Sequence, residues 1–325
     1  MSYTVLIPQD IVDEGKKYLI ERGYKIKMGK GASVAEIVED VADCDAILAR
    51  TAPFSREVIE AGKKLKVIAR HGVGCDNIDV EAATERGIWV TFTPEANASS
   101  VAEYTIGMII ALARYFFPGD QACRTGAWEL RNKFPAIDLE AKTLGLVGAG
   151  RVGTKVAQKA VFGLGMKVLV FDPYVKEIQG LREAKIVNDP AVIFQESDFV
   201  SLHVPATPET KGMFGKKYFH MMKGGAFLIN AARGEIVNEK DLYEVLQEKR
   251  IAGAALDVFD PEPPNKDNPL FTLDNVILSP HNAALTREAV ARMAIGAAIG
   301  IDEVLSGAIP RWPYNNPLEK RKEKS

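Results

Sequence analysis

Residues 143–153 have the sequence TLGLVGAGRVG, an apolar run followed by three glycines at the spacing GxGxxG. The run Thr143–Val147 is typical of a buried strand, and the residues after the glycines have the apolar periodicity of a helix. In this setting Gly148 permits a tight turn, Gly150 lets a ligand approach the main chain, and Gly153 lets helix and strand pack closely. The N–H groups at the start of the helix favour phosphate. The segment therefore predicts a dinucleotide-binding turn.

A second element supports this prediction. The strand-like run KVLVF ends at Asp172, nineteen residues after Gly153. A carboxylate at that place can accept hydrogen bonds from the adenosine ribose and would repel a 2′-phosphate, so we expect NAD as cofactor rather than NADP. The alternative is a glycine-rich turn beside a strand-end aspartate that caps only local main chain.

Apolar strand-like runs alternate with helical patterns on both sides of this segment. One series occupies residues 1–92 and a second residues 143–278, with a last helix at 286–305, whereas residues 115–140 have no clear periodicity. Strands separated by helices form parallel sheets covered on both faces. The pattern predicts an α/β fold with two doubly wound parallel-sheet domains. Because such sheets bind ligands at the carboxyl ends of their strands, we expect the two domains to lie around a cleft.

The composition is that of an ordinary globular chain. Apolar residues make up 47% and charged residues 26%, and the net charge is −2, so no basic surface for nucleic acid is expected. No secretion signal or apolar run of bilayer length is apparent, so we expect no membrane association. The three cysteines, Cys44, Cys75 and Cys123, fit neither disulfide nor metal-site spacing, which favours reduced thiols, a cytoplasmic location and no bound metal.

Three polar side chains follow later strands of the second series. Arg233 lies in NAARG after the run ending at Asn230, Glu262 lies in the proline-rich loop DVFDPEPP, and His281 lies in SPHN. The carboxyl ends of parallel strands share one sheet edge, so these side chains are expected to meet. The alternatives are a hydrogen-bonding loop histidine and two solvated charges.

The chemistry of this trio suits reduction of a 2-keto acid and oxidation of a 2-hydroxy acid. A histidine can donate a proton to the carbonyl oxygen or take one from the hydroxyl, and a neighbouring carboxylate favours the imidazolium. A guanidinium can bind the substrate carboxylate as a fork. We therefore predict His281 as acid and base, Glu262 as its partner, and Arg233 as substrate anchor.

With these residues the chain resembles the D-isomer-specific 2-hydroxyacid dehydrogenases, in particular their phosphoglycerate dehydrogenase and hydroxypyruvate reductase members. The resemblance runs through nearly the whole chain and rests on HGVGCDNID (71–79), NASSVAE (97–103), HVPATPET (203–210), NAARGEIV (230–237), AALDVFDPEPP (254–264), SPHNAAL (279–285) and the glycine-rich turn. It implies an NAD-dependent hydride transfer at C2 of a small anionic D-2-hydroxy or 2-keto acid. It also implies that Arg233, Glu262 and His281 occupy the family's catalytic positions.

The resemblance implies further contacts. Arg151 and Val152 would touch the cofactor phosphates, Val204 and Pro205 the adenine side, and Ala231 and Asp257 the nicotinamide carboxamide. Val73 and Gly74 would offer N–H groups to the substrate, together with Arg233 and His281. Thr210, Ala232 and Ala284 complete the expected cofactor set.

The resemblance also implies a domain plan. A Rossmann NAD-binding domain would comprise residues 99–284, and a discontinuous flavodoxin-like substrate domain would comprise residues 1–98 and 285–325. A homodimer would form near the helix at 97–114. The regulatory extension of many phosphoglycerate dehydrogenases has no counterpart in the sequence, so no serine-sensing module is expected.

The motifs do not decide which acid is the substrate. Arginines matching Arg50 and Arg70 lie near the substrate phosphate in phosphoglycerate dehydrogenases, although both could be solvated strand-end residues. His71 stands where alanine is common, and could favour a phosphate or only fill space. The expected substrates are 3-phosphoglycerate or hydroxypyruvate and glycerate, with glyoxylate or D-lactate type reduction as the alternative.

Two other classes of protein look similar to this chain. NAD-sensing corepressors of the C-terminal-binding-protein type act mainly by recruiting partners, but the sequence has no peptide-recruiting extension. Formate dehydrogenases have a different partner beside the histidine, so Glu262 argues against that activity.

Overall fold

The structure is a computed structural model that describes residues 3–133, 136–178 and 180–319. The chain divides into two compact units, one formed by residues 1–97 with 285–325 and the other by residues 98–284. Each unit is an α/β layer structure around one parallel sheet. The predicted fold class, two doubly wound parallel-sheet domains, is confirmed.

The first unit contains a five-stranded sheet in the order β2-β1-β3-β4-β5, with all neighbours parallel. This is the flavodoxin-like order, whose direction reverses between β1 and β3. Successive residues of a strand point to opposite faces, so Val5 and Ile7 contribute to one apolar core and Leu6 to the other. The elements are β1 (Thr4–Ile7), α1 (Asp13–Glu21), β2 (Lys25–Met28), α2 (Val34–Val41), β3 (Ala46–Ala49), α3 (Arg56–Ala61), β4 (Val67–Arg70), α4 (Val80–Glu85) and β5 (Trp89–Thr91).

The second unit contains a seven-stranded parallel sheet in the order β12-β11-β10-β9-β6-β7-β8. Its direction reverses between β6 and β9, the Rossmann arrangement with one strand added at the β12 edge. The elements are α5 (Ala98–Ala113), α6 (Phe116–Thr125), β6 (Thr143–Val147), α7 (Arg151–Leu164), β7 (Lys167–Phe171), β8 (Ala184–Val187), α8 (Pro190–Glu196), β9 (Phe199–Leu202), α9 (Lys216–Phe219), β10 (Phe227–Asn230), α10 (Glu239–Gln247), β11 (Gly253–Leu256) and β12 (Val276–Leu278).

The chain then returns to the first unit through α11 (Arg287–Leu305). Ala294, Ala297 and Ile301 of this helix are buried in the same apolar core as Val5 and Ile7. Asp302 accepts hydrogen bonds from the hydroxyls of Tyr18 and Tyr24. The last part of the chain is thereby fixed on the sheet formed by the first part.

The stretch that lacked clear periodicity contains α6 and a 3-10 turn at Trp128–Asn132, a difference from the prediction. Pro118 and Gly119 weaken the helical pattern, but Pro118 lies in the first turn of α6, where a missing N–H costs little. Among the described residues, no single helix is long and apolar enough to cross a membrane. The pair α5 and α6 reaches that length and composition only together, with a bend of 56°.

Candidate active site

The glycine-rich turn joins β6 to α7 at the point where the seven-stranded sheet reverses direction. Gly148 has φ +98°, and a Cβ there would lie 2.5 Å from the His203 carbonyl oxygen. A Cβ on Gly153 would overlap the Gly148 carbonyl oxygen, whereas a Cβ on Gly150 would have no atom within 4 Å. Gly148 and Gly153 therefore close the turn, and Gly150 leaves open space at the start of a fourteen-residue helix.

Asp172 lies directly beside this turn. One carboxylate oxygen accepts the Ala149 N–H at 2.8 Å, and the other accepts the Tyr174 N–H at 2.9 Å. Each oxygen keeps capacity for a second hydrogen bond, such as one from a ribose hydroxyl. The open space at Gly150, the helix N-terminus and this carboxylate together fit a dinucleotide.

The other residues expected to contact the cofactor follow strands at the same sheet edge. Val204 follows β9, and its Cγ1 lies 3.1 Å from the position that a Cβ on Gly148 would take. The Thr210 hydroxyl donates to the Pro205 carbonyl oxygen at 2.6 Å, closing the loop after β9. Their contacts with a cofactor stay predictions, as do those of Arg151, Val152, Ala231, Ala232, Asp257 and Ala284.

Glu262 and His281 form a direct pair. His281 Nδ1 lies 2.7 Å from Glu262 Oε2, and Glu262 Oε1 accepts the Phe259 N–H at 3.0 Å. Burial acts to raise the pKa of Glu262, but the bonds from His281 and Phe259 and the positive charge of Arg233 outweigh it and hold the pKa below its ordinary value. Glu262 is therefore an anionic acceptor that orients the ring of His281. The His281 side chain keeps 48% of its surface exposed, so its other nitrogen, Nε2, can face a ligand.

The loop that carries His281 is fixed by Asp257. This carboxylate is 1% exposed, and it accepts hydrogen bonds from the Ser279 hydroxyl at 2.6 Å, the Asn282 N–H at 3.0 Å and the Ala283 N–H at 2.9 Å. His281 has φ +50°, a left-handed conformation that costs free energy for a residue with a side chain. Since the His281 N–H also donates to the Asp257 carbonyl oxygen at 2.7 Å, Asp257 holds this residue in the strained form.

Arg233 lies at the end of the loop after β10, and Asn230 braces that loop. The Asn230 amide donates to the Arg233 carbonyl oxygen at 2.8 Å and accepts from the Ala232 N–H at 3.1 Å. Gly234 then packs against the Phe259 main chain so closely that a Cβ would overlap the Phe259 carbonyl group. The Arg233 loop is thus fixed to the loop that carries Glu262, and the structure brings the predicted trio to one edge of one sheet.

Sequence reasoning assigned no role to Asn230, Gly234 or Ser279. Asn230 and Ser279 are short polar residues that end or follow a strand, a pattern that also occurs in ordinary turns. Gly234 directly follows a catalytic candidate, which could have suggested a close approach of main chains.

The residues of the first unit that were considered as substrate contacts end or follow β3 and β4. Arg50 Nη1 donates to the Asp10 carbonyl oxygen at 2.6 Å. Arg70 donates to the carbonyl oxygens of His71 and Gly74 at 2.6 and 2.7 Å. His71 is 6% exposed, and burial lowers its pKa to about 4, so it is a neutral residue in the interior. No group of three or more histidine, cysteine or acidic side chains in the described part of the chain could hold a metal ion.

The match to a known protein family agrees with this geometry. A sequence model described as D-isomer specific 2-hydroxyacid dehydrogenase, NAD binding domain, matches residues 106–283, more than half of the 325-residue chain. The chain belongs to this family. The family predicted from the motifs is confirmed, and the matched residues lie within the second unit.

Individual relatives differ in length and in name. The chain is 42% identical over 315 residues to D-3-phosphoglycerate dehydrogenase of Methanocaldococcus jannaschii, covering 96% of this chain and 59% of that protein. It is 39% identical over 328 residues to glyoxylate reductase of Korarchaeum cryptofilum, covering 98% of each. A crystal structure of a protein from Thermus thermophilus matches with a TM-score of 0.88 at 35% identity, covering 96% of this chain and 100% of that one. The chain therefore spans less than two thirds of the phosphoglycerate dehydrogenase, but all but 2% of the glyoxylate reductase.

Proposed function

We propose that this chain is an NAD-dependent oxidoreductase that transfers a hydride between nicotinamide and C2 of a small D-2-hydroxy or 2-keto acid. The observation that carries the proposal is the 2.7 Å contact between His281 Nδ1 and Glu262 Oε2, at the sheet edge that also holds the glycine-rich turn. A histidine paired with an anionic carboxylate is a proton donor and acceptor near neutral pH.

Proton transfer is the task of His281. Because Glu262 accepts at Nδ1, the proton that moves is the one at Nε2. In the reducing direction Nε2 donates this proton to the carbonyl oxygen at C2, and in the oxidising direction Nε2 accepts the proton of the hydroxyl. Glu262 stabilises the imidazolium that exists before reduction and after oxidation.

Arg233 binds the substrate carboxylate and the polarised carbonyl oxygen. A planar guanidinium can form two parallel hydrogen bonds to a carboxylate. The bonds from Asn230 fix the main chain of the Arg233 loop, so the position from which the Arg233 side chain extends is set before a ligand binds.

A bound NAD would supply or accept the hydride. The turn at Gly148–Gly153 with Arg151 and Val152 would bind its pyrophosphate, and Asp172 its adenosine ribose. The Asp172 charge favours NAD over NADP. The second unit would be the NAD-binding domain and the first unit the substrate-binding domain, where the Val73 and Gly74 amides bind a carboxylate.

For the substrate we propose 3-phosphoglycerate or hydroxypyruvate and glycerate. Relatives named phosphoglycerate dehydrogenase support the first and the Thermotoga maritima relative named hydroxypyruvate reductase, 40% identical over 263 residues, supports the second. Glyoxylate is the alternative, favoured by the match over nearly the full length of the Korarchaeum cryptofilum relative.

We also propose a cytoplasmic homodimer. Among the described residues, Cys44 and Cys123 take part in no disulfide, as suits a reducing compartment. Phe116, Phe117 and Trp128, which follow α5, are 56%, 59% and 65% exposed, an arrangement that suits burial against a second copy. Light scattering would give a mass near 71 kDa for a dimer of the 35.5 kDa chain and near 35.5 kDa if the proposal is wrong.

The experiment that tests the activity is a substrate panel followed at 340 nm. Phosphohydroxypyruvate, hydroxypyruvate, glyoxylate and pyruvate are offered with NADH, and the corresponding hydroxy acids with NAD. The His281→Ala variant should keep NADH binding and lose at least a hundredfold in kcat, because its proton donor is gone. Absence of turnover with every acid, or full turnover by the variant, would refute the proposal.

A further inference from the structure

The loop at His71–Gly74, which we call the amide loop, follows β4 in the first unit, and most of its main-chain polar groups are paired. The His71 N–H donates to the Ala49 carbonyl oxygen at 2.8 Å, and the Gly72 N–H donates to that of Arg70 at 3.0 Å. Gly72 has φ +142°, a conformation that residues with side chains rarely adopt. The loop is therefore bent into a form that needs support from outside.

Arg70 gives the first support. Its Nε donates to the Gly74 carbonyl oxygen at 2.7 Å and its Nη1 to the His71 carbonyl oxygen at 2.6 Å, so one guanidinium joins the two ends of the amide loop. The same group lies 3.2 Å from the position of a Cβ on Gly72, so it fills the space inside the bend. The planar guanidinium holds its N–H donors in a fixed fork, so Nε and Nη1 reach the two carbonyl groups at once.

Thr93 gives the second support, from the segment after β5. Its hydroxyl accepts the Gly72 N–H at 3.1 Å and donates to the Gly72 carbonyl oxygen at 3.0 Å, while its own N–H donates to the same oxygen at 2.9 Å. Thr93 is 4% exposed, and its methyl group packs against Gly296 of α11. The hydroxyl group of Thr93 therefore contacts the amide loop, and its methyl group contacts α11.

Two donors of the amide loop remain. Within residues 3–133, 136–178 and 180–319, the N–H groups of Val73 and Gly74 have no hydrogen-bond partner. Both residues are partly exposed. Adjacent unpaired N–H groups beside carbonyl groups that are already occupied form an anion-binding surface.

We propose that Arg70 and Thr93 are positioning residues, which hold the amide loop in the one conformation that presents the Val73 and Gly74 N–H groups to a substrate carboxylate. This inference rests on the proposed function, in which those amides bind the acid. It assigns Arg70 to the loop rather than to a substrate phosphate, because its Nε and Nη1 already bind main-chain carbonyl groups. The two residues act on binding of any 2-keto acid, phosphorylated or not.

The first test uses a matched pair at Thr93. Thr93→Val keeps the methyl packing against Gly296 and loses the hydroxyl, whereas Thr93→Ser keeps the hydroxyl and loses the methyl. For the keto acid that wild type reduces, Thr93→Val should raise KM about tenfold with little change in kcat, since two hydrogen bonds that shape the loop are lost. The KM of Thr93→Ser should stay within about twofold of the wild-type KM. Equal effects of the two variants on KM, or a larger effect of Thr93→Ser, would show a packing role only and overturn the proposal.

The second test uses Arg70→Lys, with Arg56→Lys as control, because Arg56 lies in the same unit and pairs with Glu85 at the surface. Arg70→Lys keeps the positive charge and loses the fork. KM should rise about five- to tenfold, by the same factor for phosphohydroxypyruvate and hydroxypyruvate. A rise confined to the phosphorylated acid would assign Arg70 to the phosphate and overturn the proposal.

Hydrogen exchange separates failure of this inference from failure of the proposed function. Peptides covering residues 71–76 should exchange about tenfold faster in Thr93→Val and Arg70→Lys than in wild type. In Thr93→Ser and Arg56→Lys their exchange rate should equal that of wild type. This result is expected even if no acid is turned over. Unchanged exchange in the first two variants would overturn the positioning role whatever the activity.

Discussion

The α-carbon of Gly234 lies against the main chain of Phe259, leaving no room for a Cβ. Gly234 directly follows Arg233, and the Phe259 N–H binds Glu262. This one contact therefore couples the loops that carry two of the three catalytic candidates.

Gly234→Ala should separate these loops. We expect a loss of about 1–3 kcal/mol in the free energy of unfolding from the forced overlap, and a fall of at least tenfold in kcat/KM. Denaturant unfolding and steady-state rates measure both. Gly225→Ala is the control, because a Cβ there would meet no atom within 4 Å. If Gly234→Ala behaves like Gly225→Ala, the contact does not position the site.

Glu262→Gln should move the pH dependence of keto-acid reduction. The pKa of Glu262 lies below its ordinary value, so near neutral pH the group is an anion that stabilises the imidazolium of His281. A neutral amide stabilises it less, so the pH at which reduction falls to half should decrease. Glu239→Gln is the control, because Glu239 accepts from the Asp260 N–H in the same loop without touching His281. An unchanged profile in Glu262→Gln would contradict the pairing.

Asp257→Asn should loosen the His281 loop. In wild type, three donors bind the two carboxylate oxygens of Asp257. The asparagine side chain has only one acceptor oxygen, so at least one N–H or hydroxyl donor loses its partner. We expect about 1–3 kcal/mol lost from the free energy of unfolding and a lower kcat. Ser279→Ala, which removes only the donor hydroxyl, should cost less, about 0.5–1.5 kcal/mol. Equal stability of wild type and Asp257→Asn would argue against the anchoring role.

Substitution of Asp172 should affect two properties. Asp172→Asn removes the charge but can still accept the Ala149 N–H, so it should narrow the preference for NAD with a small loss of NADH affinity. Asp172→Ser should also loosen the turn and weaken the binding of both cofactors, with a dissociation constant about tenfold higher for NADH. Titration of cofactor fluorescence gives the two dissociation constants. Wild type that binds NADPH as well as NADH would refute the role of this charge.

His71 should make the protein less stable in mild acid. Burial, with the nearby charges of Arg50 and Arg70, lowers its pKa from 6.5 to about 4 in the folded protein. Between those pH values the unfolded chain binds a proton that the folded chain does not, so the free energy of unfolding decreases as pH falls, by up to about 3 kcal/mol.

His71→Ala should remove this component and flatten the stability curve between pH 6.5 and 4, measured by denaturant unfolding. Part of the slope should remain, because burial also lowers the pKa of His203 to about 4. A variant with the same slope as wild type would show that His71 does not take up this proton.

The fold was largely predictable because its signals are local. An apolar run before the glycines of 148–153 and an acid at the next strand end are features of neighbouring residues. The edge strands β2 and β8 were not predicted, since an edge strand faces solvent and carries lysines at Lys25, Lys27 and Lys185 in place of a continuous apolar run.

For the site, the sequence by itself determined the chemical groups and the sheet edge at which they lie. Arg233, Glu262 and His281 each follow a strand, and parallel strands end together. What only the tertiary structure decided is how these side chains are held. Asp257 binds the His281 loop, and Gly234 lies against Phe259. Arg70 and Thr93 form hydrogen bonds to the amide loop. These contacts join residues that are distant in the chain, or hold the main chain in conformations for which the local sequence has no signal. Such contacts depend on where the sheets place the loops, and no spacing of residue types encodes that position.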